Sequence, residues 1–163
     1  MIYLTEMLRL PVLDSSGRRI GRLSELALVP AEDGRRVAQF VVSSQKRRLA
    51  VPYQKVQEMT AEGLKISGDP EQLAAYVPAD DQLLVTKDLL DQQIIDANGR
   101  KVVRVNDLTL TIESVGERQE LWVLEVDVGV RGAFRRLLEG VAPPATIRRL
   151  QEPIKPSSIR WEY

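Results

Sequence analysis

Asp14 and Asp96 each open an Asp-x-x-Gly tetrad, Asp14-Ser15-Ser16-Gly17 and Asp96-Ala97-Asn98-Gly99. A carboxylate fixed in a tight turn is the kind of ligand a hard cation takes. Such a cation, however, needs several converging oxygens, and each turn brings a single acid. The tetrad also accounts for itself. An Asp at the first turn position accepts from the backbone two residues on, and the Gly takes positive φ. Both are therefore read as turn residues. Asp80 and Asp81, with Asp88 and Asp91 further on, read as a solvated linker and corner rather than a magnesium site.

Arginines are the other chemically capable group. Arg18/Arg22 and Arg100/Arg104 recur four apart on strands, hence on one face. They could hold phosphate, but salt bridges to neighbouring acids are the simpler expectation. Arg35-Arg36 and Lys46-Arg47-Arg48 cluster at loops. Nucleic-acid binding would want exposed aromatics among them, and only Phe40 and Tyr53 are near. Gly129-Val130-Arg131-Gly132 lacks the lysine and spacing of a phosphate-binding loop and reads as a strand-to-helix turn. The 163 residues include no histidine and no cysteine, which removes the commonest general base, disulfides and thiolate metal sites. No catalytic, cofactor-binding or metal residue is expected, and the chain is not read as an enzyme. Basic and acidic residues balance at 23 each. No strong nucleic-acid binding follows from that balance. There is no long apolar run to span a membrane and no signal-like start, so a cytoplasmic setting is expected.

The elements that must position these residues come in two copies. The stretch from Leu8 to Leu28 returns as Leu90 to Leu110 at an offset of about 82 residues without a gap. Leu8/Leu90, Asp14/Asp96, Gly17/Gly99, Arg18/Arg100, Arg22/Arg104, Leu26/Leu108 and Leu28/Leu110 are identical, and Glu25/Asp107 is conservative. Each copy opens with an apolar segment, Ile2–Leu4 or Leu83–Val85. A doublet, Met7-Leu8 or Leu89-Leu90, then reads as one helical turn or a tight corner. Strands are predicted at Pro11–Leu13 and Gln93–Ile95, returning as Arg19–Val29 and Lys101–Ile112 through the Asp/Gly hairpins. Further strands follow at Val37–Val42 and Leu121–Val128, where Trp122, Leu124, Val126 and Val128 share a face. Leu49–Val51 and Leu64–Ile66 add two to the first copy. Ile159–Trp161 adds one to the second and sets Trp161 in the place of Tyr53. Asp69 caps a predicted short helix from Pro70 to Tyr76.

The expected fold is mainly β: two small barrels in tandem, residues 1–78 and 79–163, with a helical insert at 129–157 in the second. Val12, Ile20, Leu26, Leu28, Phe40 and Val42 should fill one core. Ile94, Val102, Leu108, Leu110, Leu124 and Val126 should fill the other. In the insert, Phe134, Leu137, Leu138 and Val141 fall at helical spacing, with Arg131, Arg135 and Arg136 on the other sides. Arg131, Phe134, Arg135 and Arg136 are the candidate partner-binding residues. The stripe should pack on the barrels or on a second copy of the chain as a homodimer. Tyr163 falls inside what the first copy continues as Gln54–Met59, so more protein is expected to follow.

The motif Leu8-x-x-Pro11-Val12-x-Asp14-x-x-Gly17-x-x-Ile20-Gly21-x-Leu23, the strand Gln39-Phe40-Val41-Val42 and the closing Val51-Pro52-Tyr53 resemble the PRC-barrel family. The second copy departs from that pattern at Val103, where glycine is usual, and at Arg160, where proline is usual. The whole chain resembles more specifically the tandem PRC-barrel N-terminal region of bacterial MgtE-type magnesium transporter-related proteins. Leu84-x-x-x-Asp88-x-Leu90-Asp91-x-Gln93-Ile94, Val126-Asp127-Val128-Gly129 and Trp161-Glu162-Tyr163 carry this likeness. It implies a non-catalytic regulatory or assembly module of a larger cytoplasmic protein, with helical and CBS-like domains downstream as partners. The family also includes a ribosome-maturation factor and the cytoplasmic part of a photosynthetic reaction-centre subunit. The alternative it implies is therefore an adaptor that binds RNA or a ribosomal protein.

Overall fold

The computed structural model describes residues 1–45, 47–96, 101–128 and 158–161. These are mainly β, with a curled half-barrel sheet and only short helical turns. Strand β1 is Ile2–Tyr3 and leads into a single helical turn, α1, Leu4–Met7. Strands β2 (Pro11–Leu13) and β3 (Arg19–Val29) form the first hairpin, and one turn of helix, α2 (Pro30–Asp33), leads to β4 (Gly34–Ser44). Strands β5 (Arg47–Pro52), β6 (Val56–Met59) and β7 (Leu64–Ile66) complete the first copy. The second copy contributes β8 (Leu83–Leu84), β9 (Gln93–Asp96), β10 (Lys101–Arg104), β11 (Asp107–Val115), β12 (Arg118–Asp127) and β13 (Ser158–Arg160).

The opening strands are exchanged between copies. Strand β1 pairs with β11, Ile2 opposite Leu110, and β8 pairs with β3, Leu83 opposite Leu28. The sheet systems of the two copies meet again where Trp122 of β12 bridges Arg36 of β4. The two expected cores accordingly merge. Leu4, Met7, Val12, Leu26, Leu28, Phe40 and Val42 lie in one contiguous buried cluster with Val105, Leu108, Leu110, Leu121 and Val126. Leu4 and Met7 are both inaccessible, and burying each is worth about 1.5–3 kcal/mol over leaving it in water.

The repeat extends to backbone hydrogen bonds. Arg9 donates to the Leu23 carbonyl, and Leu23 donates to that of Leu10; Asp91 donates to Val105, and Val105 to Gln92. Arg9 and Asp91 share positive φ, 73° and 64°. The corner itself differs by one residue. In α1 the Leu8 N–H reaches the Leu4 carbonyl at 3.0 Å, an α turn, whereas Leu90 reaches Val85 at 3.1 Å, a π turn over Val85–Leu89. The second copy's extra residue is absorbed as a wider ring, the usual fate of a single insertion in a helical turn.

Besides the separate cores, three expectations need correction. Leu124 is exposed, and Leu121 and Val123 face inward instead. A β-bulge between Thr109 and Leu110 leaves Leu124 unpaired on β12 and inverts the alternation there. The same bulge occurs in the first copy between Ala27 and Leu28. Val102 is 64% exposed rather than buried. The first hairpin has a bulge between Val12 and Leu13 that turns Ile20 inward, while β9 and β10 pair without one. Residues 70–76 are not a helix throughout. Asp69 caps a turn of 3-10 helix, Pro70–Gln72, and then the Ala50 N–H bonds Ala74 and the Tyr76 N–H bonds Arg48, closing the edge of β5.

Candidate functional site

The Asp14 turn forms as its residue types dictate. Asp14 Oδ1 accepts from the Ser16 N–H at 2.9 Å, the Ser16 hydroxyl at 2.6 Å and the Arg18 N–H at 2.9 Å. Oδ2 accepts from Arg18 Nε at 3.0 Å. These donors, the Ser16 hydroxyl foremost, hold the Asp14 carboxyl at about 2, below its ordinary 3.8, against the opposing pull of burial. The carboxylate is committed to the turn and its arginine. Residues 97–100, and with them the tip of the matching hairpin, lie outside the described residues. Among the described residues no three His, Cys, Asp or Glu side chains group as a metal-ligand set. No helix among them is long and apolar enough to cross a membrane.

The arginines separate into two groups. Arg36 pairs with Glu32 at 3.6 Å and lies 4.5 Å over the Tyr53 ring. Arg35 approaches Asp33 at 3.9 Å and Trp122 at 5.9 Å. These two brace the junction of β4 and β12. Trp161 joins them there, its indole N–H donating to the Gly34 carbonyl at 3.0 Å. Its backbone register confirms its equivalence to Tyr53: Ile159 opposes Val126 as Val51 opposes Phe40.

The second group lines open space. Arg9 and Arg22 face one groove of about 530 Å³, together with Leu8, Leu23, Ser24 and Ser43. A smaller hollow of about 400 Å³, lined by Arg19, Ile20, Arg22, Ser43 and Gln45, adjoins it. That hollow opens in turn to one of about 830 Å³ at the strand ends, with Arg18, Arg19, Arg47 and Leu49 in its wall. Strand pairing builds this surface: Arg22 opposes Ser43, and Ser43 opposes Arg48, so the three share a sheet face. Glu71 is the acid of the lining among the described residues. Among the described residues Arg9, Arg19, Arg22 and Arg47 have no ion-pair partner. Guanidinium groups stay protonated and donate in a fixed fork, so the chemistry this surface offers is oxyanion contact rather than proton transfer.

The sequence singled out Arg22 but passed over Arg9. The signal was present: the copies match at Arg22/Arg104 and mismatch at Arg9/Asp91. Arg104 Nε stands 3.5 Å from Asp91 Oδ1. Arg18 pairs with Asp14, as expected of a wet strand face. Arg131, Phe134, Arg135 and Arg136, the candidate partner-binding residues, lie outside the described residues, as does Arg100. Arg47 and Arg48 belong to β5; Arg48 lies 5.0 Å over the Tyr76 ring.

No family model matches this chain, and no curated protein matches it.

Proposed function

We propose that the chain is a non-catalytic regulatory or assembly module, made of two PRC-type barrels that share their opening strands. It serves a larger cytoplasmic protein related to magnesium transport, whose helical and CBS-like domains are its partners. The observation that carries this reading is the reciprocal exchange of β1 and β8. A joint with buried side chains on both sides fixes the two copies relative to one another. A fixed pair can pass a displacement from one attached domain to the next, as two barrels on a loose tether could not.

The test uses two polypeptides: this chain, and the helical and CBS-like segment of a transporter-related protein that carries it. Sedimentation velocity of the mixture should show a stoichiometric complex. Two unperturbed boundaries would refute the reading. Stable co-sedimentation with ribosomal subunits, in place of that complex, would favour the adaptor alternative.

A further inference from the structure

The two copies differ at one corner in a way that exposes a charge. In the second copy Asp91 neutralises Arg104 at 3.5 Å. In the first copy the aspartate's place is taken by Arg9, beside the equivalent Arg22, and the two arginines line one groove. Arg9 holds φ of 73° there. Asp accepts that left-handed conformation more readily than Arg does. The first copy thus carries the less suitable residue for the backbone, and one whose charge matches that of Arg22 instead of opposing it. An outlier of this kind points to use.

We propose that the Arg9–Arg22 groove is a receptor for an acidic segment of a protein partner, with a carboxylate seated between the two guanidinium groups. The second copy supplies the chemistry, since a carboxylate is what meets the arginine there. Apolar contact is offered beside the charges: half-buried Leu8 lines the groove and half-buried Ile20 lines the adjoining hollow. Among the described residues no aromatic side chain lines it, which disfavours stacked bases. The occupant is therefore a peptide of mixed acidic and aliphatic side chains. Assigning that occupant to a protein rests on the module reading above; the anion site does not.

The probe is a fluorescein-labelled peptide of glutamates and leucines, followed by anisotropy. Its counterpart with every glutamate replaced by glutamine, and an oligouridine of matched charge, are the comparators. The acidic peptide should bind, and the oligouridine should bind no more tightly. Arg22→Gln should weaken the peptide by roughly tenfold to a hundredfold, the loss expected for one charge-assisted hydrogen bond. Arg9→Asp rebuilds the second copy's ion pair, so it should abolish binding while melting no lower than the parent. Arg35→Glu, outside the groove, should leave binding unchanged. Tighter binding of the oligouridine would overturn the proposal in favour of nucleic acid. Equal binding of the glutamine peptide, or indifference to both Arg22→Gln and Arg9→Asp, would overturn it outright. If these assays fail while the complex with the helical and CBS-like segment forms, the groove is wrong and the module reading stands.

Discussion

The Thr5 hydroxyl donates to Asp107 Oδ2 at 2.6 Å, a hydrogen bond between residues 102 positions apart. The Thr5 N–H donates to the same carboxylate at 3.2 Å, and the Leu108 N–H at 2.8 Å. The relation is mirrored. Glu25, the equivalent of Asp107, accepts from the N–H groups of Thr86 at 2.7 Å, Lys87 at 3.2 Å and Leu26 at 2.9 Å. Each copy thus uses a buried acid to hold the free N–H groups that begin the other copy's helical turn.

Replacing Asp107 by Ala removes the acceptor for at least three donors at a site with no solvent exposure. The expected cost is about 2–4 kcal/mol, or a fall of about 5–15 °C in Tm. Glu25→Ala should cost a similar amount. Thermal melts of both variants check this, and an unchanged Tm for either would show that the exchanged turn is held by packing alone.

The two threonines are not equivalent. The Thr86 hydroxyl is buried, and among the described residues it has no hydrogen-bond partner. Thr5→Val should lose about 1–3 kcal/mol with its bond to a carboxylate, whereas Thr86→Val should be neutral or stabilising. Denaturant midpoints measured side by side would decide it, and the reverse order would contradict the arrangement.

Asp14 makes an acid-limb prediction. Its folded carboxyl titrates near 2, below its ordinary 3.8. A depressed folded value means the unfolded chain takes up its proton first as pH drops. The stabilisation is therefore complete above the ordinary value, falls through the interval down to about 2, and is gone below both. Asp14→Asn should be less stable than the parent by a constant amount near neutrality, and the gap should narrow below pH ~4. A gap that stays constant down to about pH 2 would disprove it.

Gly21 and Val103 occupy equivalent places. A Cβ on Gly21 would strike the Ser43 carbonyl oxygen and lie 2.8 Å from Val42 Cγ1, because β4 crosses there. Strands β9 and β10 form a separate two-stranded sheet, and among the described residues no third strand lies against Val103. Gly21→Ala should destabilise by about 1–3 kcal/mol through overpacking. Val103→Gly should cost no more than about 1 kcal/mol. Calorimetry on the two variants separates these values.

Much of this was readable in the residues. The Asp14–Gly17 turn, the Asp69 cap, the span of β3 and the Tyr53/Trp161 correspondence follow from local chemistry and from the repeat. What was not readable has three sources. A repeat says which segments are alike, not which copy each will pair with, so the exchange of β1 and β8 was invisible. Single-residue events, the insertion in the turn Val85–Leu89 and the Leu124 bulge, shift phase without altering composition. Leu73–Tyr76 has helical propensity, but it is drawn out by the unpaired edge of β5, a tertiary demand. In the site, Arg9 was legible only as a mismatch with Asp91, because its meaning depends on Arg22 lying next to it.

The exposed stretch from Val77 to Asp81 is the only covalent path between two halves that each hold the other's first strand. Severing it would leave the halves clasped, so fragments 1–78 and 79–163 should reassemble when mixed. The same clasp can be closed by a neighbour. Two molecules that trade opening strands make the same contacts between halves, so the length of this short bridge, rather than any bond, sets the balance between self-closure and a swapped dimer.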